Sequence, residues 1–92
     1  VSNAPPRDFV IVNEKGMHAR AAAEFTRLAA KYKSAIFVSR DGTEVNGKSI
    51  MGVLMLAAYC GSTIRVRAVG DDAEAALDAL QSLVENKFGE EA

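Results

Sequence analysis

Apolar and polar positions along the chain change period several times, and each change marks an element. "DFVIVN" (8–13) is a short β-branched run that predicts a strand, closed by "EKG". From Ala19 to about Lys31 helix formers dominate. Ala22, Phe25, Leu28 or Ala29, and Tyr32 recur there at three-to-four spacing, one face of a helix. Its many alanines would let it lie close to a sheet. "AIFVS" (35–39) and "TEVN" (43–46) flank "RDG", and Asp-Gly between strand-like runs signals a hairpin. A second helix is expected from about Ser49 to Gly61, where a glycine suits the left-handed cap. "TIRVRAV" (63–69) alternates strictly, with Ile64, Val66 and Ala68 on one face and Arg65 and Arg67 on the other, wet face. After "GDD", Ala73, Ala76, Leu77, Leu80, Leu83 and Val84 form a stripe on a last helix. Acidic residues open that helix at its positive end.

The order β-α-β-β-α-β-α predicts an α+β two-layer sandwich with the helices on one side of the sheet. The hairpin makes at least part of the sheet antiparallel, while strand order does not follow from the pattern. Residues 1–7, with Pro5 and Pro6, read as a loose lead-in, 8–87 as a single domain and 88–92 as a frayed acidic end.

Composition narrows the classes. Ninety-two residues support one core. A formal net charge of −1 gives no electrostatic case for nucleic acid or an anionic membrane. No run approaches the roughly 18 apolar residues that span a bilayer, and "VSNAPPRD" lacks the layout of a signal peptide. Cys60 is the sole cysteine, which fits a reducing cytosol, and its place in the pattern suggests the core. One histidine and one cysteine without ligand spacing argue against a zinc site. The expectation is a cytoplasmic monomer that binds no cofactor or metal.

The only histidine, His18, stands at the mouth of the first helix, with Arg20 two residues on. The first N–H groups of a helix have no intrahelical partner, and the dipole adds positive charge there. That makes an anion site, for phosphate especially. A guanidinium offers phosphate a fork of charged donors. A neutral imidazole, of unperturbed pKa about 6.5, is itself a nucleophile near pH 7. The arrangement suits a transiently phosphorylated histidine. No acid–base partner stands beside it in sequence to suggest hydrolysis. By spacing alone, however, a lone histidine before a helix is more often a polar loop residue.

"GMHARAAAEF" and "NGKSIMGVLMLAAYCGSTIRVRAVGDDAEAAL" change that balance. From about Asp8 to Glu85 the chain resembles the HPr family, the histidine phosphocarriers of the bacterial phosphoenolpyruvate phosphotransferase system. The family motifs are Gly-Leu-His-Ala-Arg-Pro-Ala and, later, Asn-x-Lys-Ser-Ile-Met-Gly. The resemblance implies an open-faced β-sandwich, a four-stranded antiparallel sheet with three helices on one face. It implies that His18 is phosphorylated and that Arg20 is its phosphate partner. The phosphoryl group would come from enzyme I and pass to a histidine of a IIA-type protein, so the chain would be a carrier, not an enzyme. Metal and phosphoenolpyruvate would be needed by enzyme I alone. Ala21 departs from the motif's proline; it restores an N–H and loosens the helix entry. That departure leaves the sugar, nitrogen-related and regulatory branches open. The rival class is a regulatory binding module on the same fold with an idle histidine.

"SIMGVLMLAAYC" is too apolar for one buried stripe. Val53, Leu56, Ala57 and Cys60 fall on one side and suffice for core contact. Ile50, Met51, Leu54, Met55 and Ala58 spread around another, where Met-rich surface suits several partners. The resemblance implies docking of enzyme I and IIA domains on this helix. Ser49 is its expected N-cap. In some family members the matching serine is a kinase target, which would put about two negative charges beside that face.

Overall fold

The computed structural model describes residues 4–92. Its elements run β1 (Arg7–Val10), α1 (Ala19–Ala29), β2 (Ala35–Arg40), β3 (Thr43–Asn46), α2 (Ile50–Met55), β4 (Thr63–Val69) and α3 (Ala73–Glu85). The strands form one sheet in the order β1-β4-β2-β3, every neighbouring pair antiparallel. This order interleaves two crossovers: α1 carries the chain from β1 past β4 to β2, and α2 from β3 past β2 to β4. The strands joined by each crossover are parallel to one another. A right-handed path for both therefore puts both helices on the same face.

Register follows from the alternation. Phe9 lies opposite Ile64, Ile36 opposite Ala68 and Val38 opposite Val66. All six side chains are buried, against Ala22, Phe25 and Ala29 of α1, Val53 of α2, and Ala76, Leu77, Leu80 and Val84 of α3. The outer face is polar and cross-paired. Asp8 receives Arg65 at 3.0 Å, Glu44 receives Arg67 at 2.8 Å, and the Arg67 guanidinium stacks 4.0 Å from the Phe37 ring centre. Exposed pairs of this kind contribute little stability each, but they oppose register slips.

Several expectations fail locally. α2 stops at Met55 rather than Gly61, because Ala57 turns into the left-handed region (φ 50°). Beyond that break Ala58 is buried while Ala57 and Cys60 are exposed, so neither of the latter joins the core. The strand read over 8–13 is shorter, although Ile11 still donates to the Ser62 carbonyl at 2.9 Å and accepts from Gly61 at 2.7 Å. Arg7 belongs to β1, so the lead-in ends before it; residues 1–3 lie outside the described part.

The expected frayed end at 88–92 is packed. Lys87, Phe88 and Gly89 form a left-handed turn (φ 56°, 56° and 82°), Phe88 is buried, and the Ala92 carbonyl accepts from Glu14 N–H at 3.0 Å. The buried Phe88 ring and the Glu14–Ala92 hydrogen bond hold the segment against the domain.

Candidate functional site

His18 is the N-cap residue of α1, in extended conformation (φ −74°, ψ 178°), and its carbonyl takes the first helical hydrogen bond, from Ala22 N–H at 2.8 Å. Its side chain does not cap the helix. The first-turn N–H groups therefore keep their donor capacity, and the imidazole is left to project outward. The loop before it is clamped from two sides. Met17 is buried and donates to the Ala58 carbonyl at 2.8 Å. Gly16 (φ 67°) closes a turn on the Asn13 carbonyl at 3.1 Å and lies so near the chain that a Cβ there would come 2.7 Å from the Ala58 oxygen. The left-handed Ala57 and the early end of α2 thus have a purpose: they bring Ala58 beneath the histidine loop.

The side chain of His18 is about one-third exposed, and its Nε2 lies 2.5 Å from Oε2 of Glu90. Among the described residues this is the ring's sole hydrogen-bonding partner, so Nδ1 has none. The other Glu90 oxygen accepts from Asn13 Nδ2 at 3.0 Å, and the same amide donates to the Gly16 carbonyl at 2.8 Å. Asn13's hydrogen bond, then the one from His18 and the positive charge of Arg20, hold the Glu90 carboxyl below its usual range despite partial burial. Neither Glu90 nor Asn13 was among the residues expected from sequence. The only signal was Phe88, an aromatic within an acidic tail.

Arg20 is exposed, makes no hydrogen bond or ion pair among the described residues, and shares with His18 the wall of an open cavity of about 450 Å³. Glu14, Lys15, Glu90 and Glu91 complete most of that wall. A free guanidinium and uncapped helical N–H groups beside an imidazole make a place for a tetrahedral anion. Ala21, at the third helical position, is fully buried.

On α2 the expected outer residues are largely uncovered. Met51 is 68% and Met55 75% exposed, Ile50 is exposed and Leu54 half-buried, whereas Ala58 points inward. Tyr59, missed in the sequence pattern, adds to this surface. Ser49 caps the helix, its Oγ accepting from Gly52 N–H at 3.1 Å. No helix among the described residues is long and apolar enough to cross a membrane.

Comparison with known proteins bears on this geometry. The family profile described as the PTS HPr component phosphorylation site matches residues 6–86. The chain belongs to the HPr family. Phosphocarrier protein HPr of Cupriavidus necator is 50% identical over 84 residues, 91% of this chain and 94% of that one. The crystal structure of HPr-C-His from Thermoanaerobacter tengcongensis superposes with a TM-score of 0.92 at 44% identity, covering 97% and 100% of the two chains. A structure of an HPr dimer from the same organism gives 0.76 at 42% identity over 98% and 100%. Proteins of the HPr family are phosphocarriers of the phosphotransferase system and not enzymes in their own right. The open-faced α+β sandwich is therefore the fold of this chain, with its three helices against an antiparallel sheet.

Proposed function

We propose that this chain carries a phosphoryl group on His18, taken from phosphorylated enzyme I and handed to a histidine of a IIA-type protein. One observation supports this above the rest: the imidazole stands at an uncapped helix start, on the wall of an open cavity that it shares with an unpaired Arg20. The helix end and the guanidinium stabilise phosphoryl oxygens as they arrive, and the same groups hold them until the next acceptor docks. Both transfers need a partner histidine, so the site must be reachable by large proteins, and the open cavity allows that. Ile50, Met51, Leu54 and Met55 supply the apolar docking surface. A phosphoryl group on Ser49 would place about two negative charges beside it, which is how a serine kinase would oppose docking.

The test is a relay. Enzyme I with labelled phosphoenolpyruvate and a IIA acceptor should pass label to the acceptor only when this protein is present. His18→Ala should stop the relay, and a relay that survives the substitution would refute the assignment.

A further inference from the structure

We infer that Glu90 is a positioning residue for phosphotransfer: it reaches back from the C-terminal turn, fixes His18 as the Nε2–H tautomer, and so leaves the Nδ1 lone pair to attack phosphorus. The inference rests on the carrier reading of His18. Its basis is the chain of hydrogen bonds behind the ring. Asn13 is fully buried, and both partners of its Nδ2 are acceptors: the Gly16 carbonyl at 2.8 Å and Glu90 Oε1 at 3.0 Å. The amide is thereby fixed in orientation, even though its Oδ1 is left without a partner among the described residues. With Oε1 committed to Asn13, Oε2 faces His18 Nε2 at 2.5 Å. A carboxylate only accepts, so Nε2 must donate. A neutral ring has one N–H, which leaves Nδ1 bare.

The backbone supports the same reading. Lys87 and Phe88 both sit at φ 56°, a left-handed region that is costly for a residue with a Cβ. Two such residues in succession are tolerated here because Phe88 is buried, and the result of the turn is to return Glu90 to the histidine. Backbone strain at such a place is a reason to look for a function.

The chemistry balances. The N–P bond of the donor phosphohistidine breaks, its electron pair stays with the donor ring, and the Nδ1 lone pair forms the new bond. Nε2 keeps its proton, so the product ring is formally cationic beside a dianionic phosphoryl group. The Glu90 carboxylate pairs with that cation. On onward transfer the electron pair returns to Nδ1 and the ring leaves neutral, with no proton drawn from solvent. The other charged groups around the ring are Glu14, Lys15, Arg20 and Glu91. None of them hydrogen-bonds an imidazole nitrogen among the described residues.

Glu90→Gln tests this in an isosteric side chain. Asn13 would claim the glutamine carbonyl and turn the amide NH₂ toward Nε2, favouring the Nδ1–H tautomer. In alkaline buffer, ¹⁵N spectra of the neutral ring should show Nε2–H in the wild type and Nδ1–H in the variant. Phosphoryl acceptance should fall by about tenfold or more, with affinity for enzyme I unchanged. Deletion of residues 90–92 keeps the Phe88 anchor and should give mixed tautomers. A wild-type ring that is not predominantly Nε2–H, an unchanged tautomer in Glu90→Gln, or a changed tautomer at the wild-type rate would each overturn the inference. A wild-type protein that takes no phosphoryl group on His18 would instead show the carrier reading to be wrong, whatever the tautomer.

Discussion

Replacing Met51 with glutamate separates a helix face kept for partners from one that belongs to the core. Met51 keeps 68% of its surface exposed. About a third of the roughly 1.5–3 kcal/mol of full burial is thus at stake, on the order of 0.5–1 kcal/mol. The residue stands in the first turn of α2, behind the Ser49 cap, where a carboxylate gains roughly 0.3–1 kcal/mol from the helix's positive end. The two effects oppose, and the net change should stay within about 0.5 kcal/mol, or roughly 2–4 °C in melting temperature for a domain of this size. Val53, on the same helix and fully buried, is the control. Val53→Ala removes two methyl groups and leaves a cavity, at a cost of about 2 kcal/mol, or roughly 8–16 °C. Thermal melts of both variants give the stability arm, and calorimetric titration with enzyme I and with a IIA protein gives the docking arm. Met51→Glu should bind both partners about tenfold more weakly or worse, since it puts a charge where apolar surface must be desolvated. A loss of several kcal/mol in stability would place Met51 in the core. A stable variant with unchanged affinities would move the partner surface elsewhere.

Arg20→Lys keeps the charge and loses the planar fork; melting should move by less than about 0.5 kcal/mol while stopped-flow transfer slows in both directions. Gly16→Ala would force a Cβ to 2.7 Å from the Ala58 oxygen at a positive φ, so it should cost roughly 2 kcal/mol or more and slow transfer by displacing the His18 loop. Asp72 accepts from the Ser34 hydroxyl, then from Lys33 and Ser34 N–H at 2.8 and 2.9 Å, and these bonds lower its pKa. A carboxylate depressed on folding stabilises above its unfolded pKa of about 3.9 and loses that contribution as pH falls through the folded value. Melting temperature plotted against pH should therefore fall less steeply below about pH 4 in Asp72→Asn than in the wild type.

The parts of this molecule that were legible in its sequence are those where a period repeats. The strict alternation of 63–69 marks β4 to the residue, and the stripe from Ala73 to Val84 marks α3. The hairpin follows from Asp41-Gly42, where Asp41 does adopt positive φ. His18 and Arg20 were singled out by the two family motifs, since a lone histidine before a helix is by spacing alone more often a polar loop residue. What escaped was non-local. Glu90 reaches His18 across 72 residues, and its only herald is Phe88, a single apolar residue with no period to read. The end of α2 escaped for a related reason. Apolar residues continue to Cys60, but Ala58 is needed under the His18 loop, and that tertiary demand overrides the helical pattern at Ala57. Strand order was not legible, because alternation fixes which face a strand buries and not which strand lies beside it.

The central claim is that His18 carries phosphorus. Its most direct measurement is the intact mass of this protein after incubation with enzyme I and phosphoenolpyruvate, before and after brief acid treatment. The wild type should gain one phosphoryl group, lost in acid as a phosphohistidine is, and His18→Ala should gain none. An acid-stable adduct alone, or an undiminished adduct on His18→Ala, would contradict it.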